Sequence, residues 1–219
     1  MIQLSQIQIQ ILFNELLKRI DAKYSPINVT VQPEIGAKPS NCFNNVARKV
    51  AKEGGSIVYG WALLPQRHIL EAEKHAIWKM PDGEYVDITP RPFPIPMLQF
   101  VIDDEFEYKG QLVGNVRINT TQNIVVDDWI FVCEAIDELY THTKRVDDQY
   151  VDVPPPIAPF LNWLENFVKN YEPYVTAGGG PDTLCFCGKP FFYKDCHGSG
   201  MQEAINNDLA QVLESLRKV

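Results

Sequence analysis

The chain has 219 residues, a formal net charge of −8, 45% hydrophobic and 22% charged residues, enough for one sizeable core and an appendage. An acidic balance without a Lys/Arg run excludes a general nucleic-acid binder, and no stretch reaches the roughly 18–20 apolar residues of a membrane span. The N-terminus has no basic n-region, so no signal peptide is expected. Five cysteines, three of them bunched, do not resemble a disulfide framework, and a cytoplasmic, reducing compartment is expected.

In chain order, residues 3–20 carry an amphipathic helix pattern, with Leu4, Ile7, Ile11 and Leu12 near one face. The Pro-broken stretch 25–40 is expected to be a loop with short extended pieces. A second helix begins around Asn41 with Ser40 as N-cap, places Phe43, Val46, Ala47 and Val50 on its apolar side, and ends at Gly54-Gly55. Strands follow at "SIVYGWALL", "KHAIWKM", "EYVDI", "FVIDDEFEY" and "NIVVDDWIFVCEA". A Pro-rich joint, "DVPPPIAPF", leads to a helix over "FLNWLENFVKNY", then to "TAGGGPDT", expected to be a flexible hinge. The last helix carries Ile205, Leu209, Val212, Leu213 and Leu216. The division that results is an α+β domain over 1–150, a Pro/Gly-bounded helical linker over 151–180, a metal-binding module over 181–200 and a terminal helix over 201–219.

Before that last helix stands "LCFCGKPFFYKDCHGSG". Zinc takes four tetrahedral thiolate or imidazole donors, and Cys185, Cys187, Cys196 and His197 supply three sulfurs and one nitrogen in two tight pairs. Gly188 suits the tight backbone beside a ligand, and Phe191, Phe192 and Tyr193 are expected to cover the metal. Free cysteines would not explain the pairing, and a redox CxC would leave Cys196-His197 without a purpose. A closed structural Zn2+ site is the reading.

A second constellation begins at "PSNCFNNVARKV". Cys42 falls in the first turn of its helix, where the macrodipole and free N–H groups favour a thiolate. Further on, "MPDGE" is a turn signal with Gly83 left-handed, giving a hairpin whose opposed residues sum to about 164. His75 and Asp87 then share a face as diagonal neighbours, while Ala76, Trp78, Met80, Val86 and Ile88 form the other, core-facing surface. Nucleophile, base and orienter are the parts of a thiol acyl-transfer site. The residues alone leave open that His75 is a satisfied histidine and Asp87 a strand-end residue.

Glu71, Glu73 and His75 alternate on β-strand spacing and are expected to be a solvated strand edge. Cys133 is expected to be a buried core thiol, with Asp103, Asp104, Glu105, Asp127 and Asp128 in exposed turns and rims.

Two resemblances bear on these stretches. "CFCGKPFFYKDCHG" resembles the SEC-C motif, the zinc module at the C-terminus of the preprotein translocase ATPase, with Lys189-Pro190 in place of the usual Ser-Gly. The resemblance implies zinc at the four ligands and an adaptor surface that accompanies many unrelated domains. The run Cys42, "GGSIVYGW", "HAIW", "VDITP" resembles the transglutaminase-like branch of papain-type cysteine enzymes, with Phe43 where an aromatic Trp or Tyr is usual. It implies a Cys-bearing helix packed on an antiparallel sheet, with Cys42 as nucleophile, His75 as base and Asp87 as orienter. No oxyanion side chain is identifiable, Gln32 and Asn41 being placed there by position only. The expected function is a thiol hydrolase or acyltransferase acting on an amide bond of a protein or peptide. The alternative is a zinc-containing adaptor on an inactive scaffold, its zinc module presented to a protein partner.

Overall fold

The structure, a computed structural model, describes residues 5–148 and 150–217. Helix α1 (Gln6–Arg19) opens on a capping box in which Ser5 and Gln8 satisfy each other's backbone N–H. Leu4 lies outside the described residues. Leu16 and Ile20 are buried against the sheet, with Leu12, Phe13 and Leu17 packed beside them. Ile7 and Ile11, expected to face the core, are instead 74% and 60% exposed. Only the second half of the helix crosses the sheet, so the apolar pattern of its first turns has nothing to bury against.

Six strands follow: β1 (Ile27–Val31), β2 (Ser56–Pro65), β3 (Ile69–Lys79), β4 (Tyr85–Asp87), β5 (Met97–Ile102) and β6 (Val116–Asn119). Five of them close a barrel in the order β2-β5-β1-β4-β3, with β2 pairing back to β3, and β6 adds to β3 from outside. All pairs are antiparallel except β1 with β4. Thus one of the short extended pieces expected in the Pro-broken stretch is a barrel strand: Ile27, Val29 and Val31 alternate inward, and that period outweighs the prolines that flank it. The parallel seam runs past the strand ends, since Gln32 N donates to Asp87 O at 2.8 Å and Glu34 N to Ile88 O at 3.0 Å.

Val29, Ala62, Ile77, Leu98 and Phe100 fill the barrel. Outside it, α2 (Cys42–Glu53) covers Ala76, Trp78, Val86 and Ile88. The β3–β4 hairpin has Trp78 opposite Val86 and Lys79 opposite Tyr85. Gly83 at φ +99° closes its turn, with Met80 N donating to Glu84 O. One edge of β3 is shared: β6 pairs residues 69–72 and β4 pairs residues 78–79. The ladder parts between them, and His75 lies in that fork.

Helix α3 (Ile124–Thr141) replaces the strand expected at "NIVVDDWIFVCEA". The run is β-branched, but Asn123 caps it by accepting from Val125 N at 3.1 Å. Of its seven buried positions, 125, 128, 132, 135 and 139 follow one another at helical spacing. Likewise the strand expected at "FVIDDEFEY" stops at Ile102, and residues 103–115 form an irregular crossing. A short hairpin, β7 (Lys144–Arg145) with β8 (Val151–Asp152), leads to α4 (Ala158–Val168), α5 (Tyr171–Thr176) and α6 (Met201–Leu216).

These helices share one core that includes Val125, Val132, Leu139, Leu164, Tyr171, Tyr193 and Ile205. The glycine stretch expected to be a hinge is tied down. Asn123 Nδ2 donates to Gly179 O at 2.7 Å, Tyr174 OH donates to Gly180 O at 3.0 Å, and a Cβ on Gly179 would lie 2.6 Å from the Tyr174 ring. No helix among the described residues is long and apolar enough to cross a membrane.

Candidate functional site

Cys42 is the first residue of α2, and its N-cap is Asn41 rather than Ser40. Ser40 sits at φ +56°, turning the chain into the helix, so its side chain does not cap. Asn45, one turn on, anchors this end. Its side chain exchanges hydrogen bonds with Lys38 N and O at 3.0 and 2.8 Å and donates to Thr89 Oγ1 at 3.2 Å. Thr89 N in turn donates to Asp87 Oδ1 at 3.0 Å. One buried amide therefore links the helix that carries Cys42 to the strand end that carries Asp87.

His75 and Asp87 are 1% and 0% exposed, and His75 Nε2 lies 3.0 Å from Asp87 Oδ1. The Cys42 side chain lies near enough to bear on the charge of the same imidazole. Burial works against a charged imidazole, but Cys42 and Asp87 outweigh it, and His75 is held well above its ordinary value of 6.5. For Asp87, burial pushes upward while His75 and Arg91 pull harder, leaving it below its ordinary 3.8.

The supposed solvated edge is a charge network. Arg91 donates to Asp87 Oδ2 from Nε and Nη2 at 3.1 and 3.0 Å, and to Glu73 Oε2 from Nη1 at 2.9 Å. Glu71 accepts from Arg117 at 2.9 Å and from Asn115 at 3.0 Å. Glu71 lies where β3 is paired on both sides, and in the fork beyond it Glu73 and His75 are held by Arg91 and Asp87 instead of standing at a solvated rim.

Glu73 is mostly buried, which alone would raise its carboxyl, yet His75 and Arg91 bring it down from 4.5 to about 2. A depressed carboxyl contributes stability that is present above its unfolded value and lost as pH falls through the folded one. Between pH 4.5 and 2 the wild-type protein should lose on the order of 2–3 kcal/mol more than Glu73→Gln. Urea midpoints taken stepwise through that window measure the difference; parallel curves for the two proteins would remove Glu73 from the network's energetics.

Cys42 itself is only 6% exposed. Phe43 beside it stacks on Tyr108 with ring centres 4.1 Å apart and lies 5.9 Å from both Phe106 and Tyr59. Burial raises the Tyr108 phenol against the pull of Arg145. Lys74 holds the same crossing down: its ammonium pairs with Asp103 and sits 4.2 Å from the centres of Trp61 and Phe106. A groove of about 990 Å³ between α1, the β2–β3 turn and α5 contains none of Cys42, His75 and Asp87. Of the positions proposed for an oxyanion, Asn41 is buried at the helix start, and Gln32 is exposed with its N–H committed to Asp87 O.

The second cluster lies in the helical half. The donor atoms of Cys185, Cys187, Cys196 and His197 all fall within 4.8 Å of one another. Cys185 Sγ is 3.0 Å and Cys196 Sγ 3.7 Å from His197 Nδ1, and Cys187 Sγ is 3.6 Å from Cys196 Sγ. Tetrahedral zinc with bonds of about 2.3 Å places its sulfurs ~3.7 Å apart, so the set fits one metal ion. Backbone turns assemble it. Cys185 N donates to Phe191 O, Gly188 at φ +79° reverses the chain, and a 3₁₀ turn over Tyr193–Asp195 delivers Cys196.

The aromatic cover differs from expectation. Phe191 and Phe192 are about half exposed, while Phe186 stacks on His197 at 4.9 Å and Phe167 lies 5.3 Å away. Tyr193 points away from the ligands and is fully buried, donating to Asp128 Oδ2 at 2.7 Å. Asp128, expected at a rim, is buried in α3 and also accepts from Gln202 at 2.7 Å. The cluster is thereby fastened to α3 and α6.

No family model, curated protein or solved structure matches the chain. What it defines by itself is a mixed α+β protein with a closed five-strand barrel and a Cys/His cluster able to hold a metal ion. Arg91 and Asn45 carry site geometry that sequence reasoning missed. A signal for Arg91 existed, because it stands between Pro90 and Pro92 four residues beyond Asp87.

Proposed function

We propose that the chain is a thiol hydrolase or acyltransferase of the papain or transglutaminase-like kind, acting on an amide bond of a protein or peptide. The observation that carries this is the buried 3.0 Å His75–Asp87 contact beside a cysteine at a helix N-terminus. In the first half-reaction the Cys42 thiolate attacks the carbonyl carbon, the C–N bond breaks, and the His75 imidazolium gives its proton to the departing amine. A thioester remains. Water or a second amine then attacks it, His75 accepts that nucleophile's proton, and the thiolate leaves. Asp87 holds Nε2–H throughout and keeps the ring oriented.

Zinc is the metal the three-sulfur, one-nitrogen donor set suits, and four protein donors leave no open position, so its part is structural. All five cysteines are free, in keeping with a reducing compartment such as the cytoplasm.

Alkylation of the native, metal-loaded protein with iodoacetamide tests the proposal, each cysteine being followed by peptide mass. Cys42 should react faster than Cys133, whose thiol burial pushes up to about 11. His75→Ala should slow Cys42 by roughly 10²-fold or more. Equal rates at Cys42 and Cys133 would end the enzyme reading. They would favour the second one, a binding scaffold, which the deep burial of Cys42 beneath Phe43 and Tyr108 also supports.

A further inference from the structure

Arg91 is 8% exposed and bridges two carboxylates. Its backbone lies between Pro90 and Pro92, whose rings fix φ on either side, so the guanidinium is presented from a stiffened segment. Both of its contacts to Asp87 fall on Oδ2, which leaves Oδ1 for His75 Nε2 and for Thr89 N. Nη2 also lies 3.4 Å from His75 Nε2, the nitrogen that Asp87 holds. Nη1 reaches Glu73 Oε2 at 2.9 Å, on a residue two positions before His75 on the same face of β3. The other Glu73 oxygen, Oε1, is 3.6 Å from His75 Nδ1. That exceeds the 2.7–3.2 Å of an N–H···O hydrogen bond. Nδ1 is buried and makes no well-formed hydrogen bond.

These distances describe a restraint. With Asp87 on Nε2, Nδ1 is the nitrogen left to serve the thiol. Glu73 is the nearest competitor, and a small rotation of its carboxylate would give Nδ1–H a charged acceptor. An imidazolium with a carboxylate on each nitrogen spends both N–H groups on them and has none left for the thiolate. Cys42 would then lose the cation that keeps it ionised, although Cys42, His75 and Asp87 were all still present.

We infer that Arg91 is a positioning residue for His75, gripping Asp87 and Glu73 together and so keeping Glu73 off Nδ1, the nitrogen that Asp87 leaves free. The inference rests on the thiol-enzyme reading for its purpose but not for its geometry. Removing Arg91 should therefore do harm through Glu73, and removing Glu73 as well should undo it.

The experiment pairs two readouts on the full-length, metal-loaded protein: ¹⁵N-histidine NMR, with the His75 signals assigned by their loss in His75→Gln, and iodoacetamide alkylation of Cys42. Arg91→Ala should move the Nδ1–H signal to that of an N–H donating to a carboxylate and slow Cys42 by roughly 10²-fold. Arg91→Ala with Glu73→Gln should return both towards wild type. An unchanged Nδ1 signal in Arg91→Ala, or no recovery in the double variant, would overturn the inference. Should Arg91→Ala fail to fold, Arg91→Lys with and without Glu73→Gln decides it by the same two signals, since Lys keeps the charge but not the fork. If wild-type Cys42 reacts no faster than Cys133, the enzyme reading falls while the NMR comparison still decides the role of Arg91.

Discussion

Asp87→Ala is expected to lower the unfolding free energy by about 3–5 kcal/mol, the range found when one partner of a buried ion pair is deleted. The carboxylate has no exposure and accepts from His75, from Thr89 N and twice from Arg91. Alanine would leave an 8% exposed guanidinium tied to Glu73 alone and a fully buried imidazole with no anion on Nε2. It would also release Thr89, and through Thr89 the Asn45 amide that anchors the start of α2. Urea unfolding at neutral pH measures the loss. Asp87→Asn should cost less, because one oxygen still accepts. A loss below about 1 kcal/mol for alanine would mean that water reaches Arg91 and His75 in the folded protein, contrary to their burial.

Cys185→Ser should have the second large effect, and it should be confined to one half of the molecule. Cys185 is the buried member of the cluster, packed in the same core as α3, α4 and α5. Metal binding contributes on the order of 10 kcal/mol to folding of small zinc peptides. Here the helices supply part of the cohesion, so loosening is expected rather than collapse. Hydrogen exchange should speed up across residues 182–198 and along α6, because Tyr193 and Gln202 both fasten to Asp128 and lose their setting when the metal-bound turn opens. Amides of β2 and β3 should keep their protection. Unchanged exchange in the helical half after verified metal loss would separate the cluster from that core.

How legible the molecule was in its sequence depended on whether the signal was local. The β3–β4 hairpin was readable because Pro81-Asp82-Gly83 specifies one turn geometry, and the observed pairs 78–86 and 79–85 keep the expected sum of 164. The four metal donors were readable for a similar reason, two pairs close in sequence. Helix α3 was misread because a β-branched run without clear alternation looks like a strand, and its Asn123 cap went unweighed. Ile7 and Ile11 were misplaced because periodicity shows that a helix has a face but not whether anything covers it. Arg91 and Glu73 were out of reach for another reason: their meeting is set by barrel closure, and charged residues in separate segments carry no mark of the partner they will find.

The β1–β4 seam has a consequence in time as well as in space. Val31 pairs with Asp87, and the contacts from Gln32 to Asp87 and from Glu34 to Ile88 carry the chain on towards Cys42. Parallel pairing over so long a separation is slow to form, because loop entropy is lost before any contact repays it. The turns of the metal cluster, by contrast, close between near neighbours, Cys185 with Phe191 and Cys196 with Tyr193, and can form sooner. A full-length chain refolding from the unfolded state would therefore form its metal-binding turns before Cys42 meets His75. The surroundings of Cys42 are thus completed only by closure of the barrel, and a chain with the β1–β4 seam unformed would carry the cysteine apart from His75 and Asp87.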